Sequence, residues 1–214
     1  MPHAVFWSGL FLLGCYHGLN PGMGWLFAVA LGLQERQRRT IFAALPPIAL
    51  GHVASVLAIV ALAGLAKTAL PQADVKYGAA AILIAFGLYR GVRARHLRWV
   101  GMRVGPWGLA AWAFLMASGH GAGLMLLPFL LPLNQRSLQA MPMPGMAVGA
   151  PHLPLSLWLA AVGVHTLGYL ATMTAAALVV YDRLGVRILR TAWFNFDLVW
   201  AAALIISGCI LLFV

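Results

Sequence analysis

The sequence predicts an all-α, polytopic membrane protein: six transmembrane helices forming two inverted three-helix repeats, the first helix broken at Asn20-Pro21-Gly22. Three observations predict it. Apolar runs of bilayer length recur from end to end, in a chain that is 63% hydrophobic and 8% charged with mean hydropathy +0.91. Soluble domains carry about 25% charged residues. The basic residues cluster in the short segments between the runs, and the two halves repeat the same short patterns in the same order.

Taken in order, the spans are predicted at about 4–33, 41–66, 75–93, 107–132, 154–181 and 193–214. They form a single membrane domain, 1–214, with repeat one at about 1–95 and repeat two at about 105–214. The first run is too long for one straight crossing. Asn20 is a good N-cap and Pro21 suits the first position of a new helix, so the run divides there. The start, Met1-Pro2-His3, lacks the basic n-region of a secretory signal, which predicts that the first run is a permanent helix. Cys15 and Cys209 form no CxxC and imply neither a disulfide framework nor a zinc knuckle.

The net charge of +10 raises nucleic acid as a partner. Its distribution argues against it. Arg36, Arg38 and Arg39 follow span one; Arg90, Arg93, Arg95, Arg98 and Arg103 follow span three; Arg183, Arg187 and Arg190 follow span five. Only Lys67, Lys76 and Arg136 fall on the other side. By the positive-inside rule the basic loops are cytoplasmic and both termini extracytoplasmic, in a bilayer of the bacterial inner-membrane kind.

Span one reads "GCYHG" and span four "ASGHG"; span two has "GHVASVLA" and span five "VHTLGYLA"; span three has "AAAILIAFG" and span six "AAALIISG". Three spans per half is odd, so the halves cross in opposite senses, in agreement with the charges. Inverted repeats are a transporter signature, with the substrate site near the midplane between them.

Each half carries one histidine in its first span and one in its second: His17, His52, His120 and His165. An unpaired imidazole in hydrocarbon costs a few kcal/mol, roughly, so these rings are expected to face the interior or a water-filled cavity. A lone intramembrane histidine is explained by one hydrogen bond to a neighbouring helix. Four at matched places point to a shared site. Imidazole suits zinc, copper, iron and nickel, and no Asp or Glu lies deep in a span, so hard cations are poor candidates. Asn20, Met23 and Met125 lie close by in sequence as secondary contributors, although methionine is also ordinary packing. The outer loop carries "MPMPGM", with thioethers at Met141, Met143 and Met146 and His152 soon after. It is similar to the methionine motifs of copper importers, and equally reads as a flexible linker. Glycines around His17 and His120 allow close helix packing and irregular backbone.

"HGLNPGM", His17 to Met23, and "LGH", Leu50 to His52, resemble the signatures of the LysE superfamily of six-span exporters, nearest to the NicO-type nickel/cobalt transporters. The resemblance implies that His17 and His52 are metal ligands on a transport path. Asn20 and Gly22 stand where that signature has acids, and Met23 where it has a second histidine, which favours a softer ion such as copper. The related CcdA-type thiol carriers have a cysteine in each half; here Ser118 stands opposite Cys15, so a dithiol relay is not expected.

The leading expectation is therefore a transporter moving a transition-metal ion, or else a small organic or anionic solute, through the histidines. There is no P-loop, so coupling would come from a gradient or a partner protein, and a homo-oligomer is compatible with the sequence. The alternative of another class is a membrane electron carrier with b-type haem on the histidines. An enzyme is less favoured, since neither a Ser-His-acid set nor paired carboxylates are present.

Overall fold

A computed structural model describes residues 3–92, 105–130, 155–184 and 196–213, and these are all-helical with no strand among them. The helices are α1 His3–Leu19, α2 Trp25–Glu35, α3 Arg38–Ala69, α4 Gln72–Val92, α5 Pro106–Gly119, α6 Leu155–Val179 and α7 Phe196–Phe213. A 3-10 turn, Pro21–Met23, separates α1 from α2; a second, Leu124–Leu126, follows α5.

Three of these helices are long and apolar enough to cross a membrane, or four if α5 and Leu124–Leu130, bent by 52°, count as one span. α1, α2 and α7 are shorter apolar helices. The core is apolar, but large apolar side chains also cover the outside, and the few buried polar side chains include four histidines. Leu50, Leu62, Leu65, Leu167 and Ile206 point outward, while His17, His52, Ser55, His120 and His165 are buried. Outward leucine with inward histidine is the polarity that a hydrocarbon solvent selects.

Glycines set the packing. A methyl group on Gly14 would strike the carbonyl oxygen of His165, one on Gly18 that of Tyr169, and one on Gly168 that of Phe11. From Gly14, between His165 and Tyr169, to Gly18, between Tyr169 and Met173, the contact advances by one turn on both helices, so α1 and α6 lie parallel at backbone contact. Gly51 meets the Ala110 carbonyl, and Ser55 Oγ lies 2.8 Å from Ser118 Oγ, which makes α3 and α5 parallel as well. The third pair is antiparallel. A methyl on Gly87 would come within 2.9 Å of the Ala201 oxygen, and one on Gly208 within 3.0 Å of the Ala80 oxygen.

The first break falls where the sequence places it, with a different inner construction. The Gly22 N–H donates to Asn20 Oδ1 at 2.9 Å, but this caps the 3-10 turn and not α2. α2 begins at Trp25, after Gly24 at φ 126°, a backbone angle that a side chain rarely adopts. Aromatic donors hold the carbonyls freed here: Trp25 Nε1 on Leu19 at 3.2 Å, Trp112 Nε1 on Gly22 at 3.3 Å, and Tyr169 Oη on Met23 at 2.6 Å. Span four, expected to be one run over about 107–132, is broken too. α5 stops at Gly119, Gly121 takes φ 70°, and Trp200 Nε1 donates to the His120 carbonyl at 2.6 Å.

Candidate functional site

His17 on α1, His52 on α3 and His165 on α6 meet at the centre of the helix cluster. The glycine contacts bring them there, since Gly14 lies against the His165 backbone one turn before His17. Ring centroids are 4.9 Å apart for His17–His165, 5.5 Å for His52–His165 and 6.0 Å for His17–His52. All three residues are at most 1% exposed.

Their hydrogen bonding is incomplete. His17 Nδ1 lies 2.8 Å from the Leu13 carbonyl, which only accepts, so Nδ1 carries the proton and Nε2 presents a lone pair. That nitrogen has no protein partner within hydrogen-bond geometry, nor has either ring nitrogen of His52 or His165, although the Leu10 backbone lies near enough to act on the His165 ring. Five unpartnered nitrogens on three buried, touching rings are unusual, because each buried polar group left unmade costs about 1–3 kcal/mol. A carbonyl that fixes the tautomer and leaves the other nitrogen bare is also how metal-binding histidines are held.

His120 is set apart from the three. Its Nδ1 repeats the His17 arrangement, 2.7 Å from the Met116 carbonyl, but its Nε2 faces the Arg90 guanidinium at 3.4 Å. The Trp200 ring touches both sides edge-on, with centroids 4.7 Å from His17 and 5.1 Å from His120. Of the four histidines read from the sequence, three have ring centroids within 6.0 Å of one another, and the fourth, His120, touches the same Trp200 ring as His17 and faces Arg90.

Of the other expected contributors, Asn20 spends its side-chain oxygen on Gly22, and Met23 and Met125 are buried in the two 3-10 turns. Met141, Met143, Met146 and His152 lie outside the described residues. Glu35, Asp74 and Asp182 are exposed, away from the rings. Among the described residues no three His, Cys, Asp or Glu side chains have their donors placed to hold one ion as they stand. The reason lies in ring orientation. His52 stacks on Tyr169 at 4.0 Å and 9°, and is within 18° of parallel to His165. Imidazole lone pairs lie in the ring plane, so stacked rings do not aim them at one point.

Sequence reasoning missed Tyr169, Trp200 and Arg90. Tyr169 follows His165 by four residues, one helical turn, which is a readable signal. Arg90, counted with the basic loop, sits in the last turn of α4 and reaches His120. Trp200 carries no local signal at all.

Comparison with family models, with curated proteins and with solved structures finds no match.

Proposed function

We propose that the chain is an integral membrane transporter whose cargo is a soft or borderline transition-metal ion, copper- or nickel-like, held by His17, His52 and His165. The observation that carries this reading is the five unpartnered nitrogens on three buried, touching imidazoles. A cation with imidazole affinity removes that deficit, and the lack of nearby carboxylates among the described residues argues against hard cations.

Six spans in two inverted repeats are part of the same proposal. Parallel packing of α1 with α6 mirrors that of α3 with α5 when the halves are exchanged. The Gly87–Ala201 and Gly208–Ala80 contacts of α4 and α7 map onto each other by the same exchange. So do Ser55 against Ser118, and Gly168 against Cys15. A site between two such repeats, beside two broken spans, is where transporters place cargo. The likeness to LysE-superfamily exporters belongs here too, resting on His17–Met23 and Leu50–His52.

Haem is the weaker reading. A bis-histidine haem needs two imidazoles on opposite faces of a macrocycle, whereas these rings lie against one another and glycine contacts close the helices around them. Titration of detergent-purified protein with Cu(I), Ni(II), Co(II) and Zn(II), followed by elemental analysis, tests the proposal. Near-stoichiometric binding is expected in wild type and in His120→Ala, and its loss in the His17→Ala/His52→Ala/His165→Ala variant. Equal absence of metal from all three proteins sinks the reading, and iron with a Soret band replaces it with haem.

A further inference from the structure

Resting on the three histidines as the cargo site, we infer that Tyr169 is the residue that couples cargo binding to the break in the first span. Tyr169 belongs to α6, one turn beyond His165, and is fully buried. Its ring lies flat on His52 of α3, with centroids 4.0 Å apart and planes within 9°. Its hydroxyl donates to the Met23 carbonyl at 2.6 Å, in the unwound turn between α1 and α2. One rigid side chain therefore touches a ligand ring on one side and the broken backbone on the other.

The coupling follows from ring geometry. In the stacked arrangement the His52 ring plane runs nearly parallel to those of Tyr169 and His165, at 9° and 18°, so its lone pairs and those of His165 do not converge on one point. To ligate an ion, His52 turns out of the stack. The phenol loses its support and moves, and its hydroxyl leaves the Met23 carbonyl. A carbonyl freed inside the protein must find another donor, so the Pro21–Met23 turn shifts with it. Movement at a broken span beside the site is one means of gating access between two repeats.

The second break has a comparable construction. Trp200, the bulkiest of the fully buried side chains among the described residues, touches His17 and His120 edge-on, stacks on Tyr16 at 5.0 Å and donates to the His120 carbonyl. At both breaks, then, a carbonyl freed by the missing helical turn is held by an aromatic donor whose ring rests on a histidine.

Tyr169→Phe keeps the stack and removes the hydroxyl. With Cu(I) and Ni(II) added singly as probes, its affinity should stay within about threefold of wild type, while turnover in proteoliposomes falls about tenfold or more. Amide exchange over residues 22–25 supplies a readout independent of transport. In wild type it should quicken when metal binds; in Tyr169→Phe it should be fast from the start and unresponsive. Tyr169→Leu frees His52 from the stack and should bind metal at least as tightly as wild type while transporting poorly. Wild-type turnover with metal-responsive exchange in Tyr169→Phe would overturn the coupling role. A tenfold or greater loss of affinity in that variant would overturn it as well, by making the hydroxyl part of the binding geometry. If wild type binds neither metal, the cargo reading falls and takes this inference with it.

Discussion

His17 and His120 carry the same local bond, ring Nδ1 to the carbonyl four residues back, and differ in what faces the other nitrogen. For His17 it is two imidazoles with bare nitrogens; for His120 it is a guanidinium. The sequence marks both residues alike, because the difference arises from side chains on α3, α4 and α6 that are distant along the chain. Trp200 shows the same limit. Trp200→Phe removes the donor to a buried carbonyl while keeping most of the ring, and should cost about 1–3 kcal/mol. Thermal unfolding in detergent should show it as a midpoint lower by about 2–4 °C per kcal/mol. An unchanged midpoint would mean that another donor takes over the His120 carbonyl.

At the scale of elements, proline and glycine were only partly legible. Asn20-Pro21-Gly22 does break the chain, yet Pro46 and Pro47 sit inside α3, which continues for 32 residues. Proline removes a hydrogen bond in both places. What differs at the first is the supply of donors from Trp25, Trp112 and Tyr169 to the carbonyls that unwinding exposes. Helix contacts divide the glycines in the same way. Gly14→Ala and Gly51→Ala force a methyl into a neighbouring backbone carbonyl and should destabilise by about 1–3 kcal/mol or more. Gly64→Ala and Gly78→Ala meet nothing within 4 Å and should be neutral or stabilise by about 0.5–1 kcal/mol. Comparing the four variants by thermal unfolding checks the packing, and equal behaviour would refute it.

For the whole molecule, the distribution of basic residues predicts which ends of the helices face the cytoplasm. Arg38 opens α3, and Asp74 lies in the first turn of α4, just beyond the far end of α3. With Cys15 and Cys209 replaced by alanine, an impermeant thiol reagent on intact cells should label Asp74→Cys and spare Arg38→Cys. Labelling of Arg38→Cys alone would invert the orientation. Labelling of both would deny that α3 crosses the bilayer. The Arg38–Asp182 ion pair at 2.9 Å joins α3 to the turn after α6, but both partners are solvent-exposed and its contribution is small, about 0–1 kcal/mol.

Composition and order alone determined that this chain is helical, apolar along its length and punctuated at Asn20-Pro21-Gly22, because hydropathy and backbone chemistry are local properties. They also singled out four histidines, since an imidazole among leucines is conspicuous in one dimension. Only the tertiary structure decided that three of them meet while the fourth packs on Trp200 and faces Arg90. It alone showed that Tyr169 joins His52 to the broken turn. Those pairings depend on which glycine lets which helix approach, and close approach is a property of two surfaces that neither segment carries by itself.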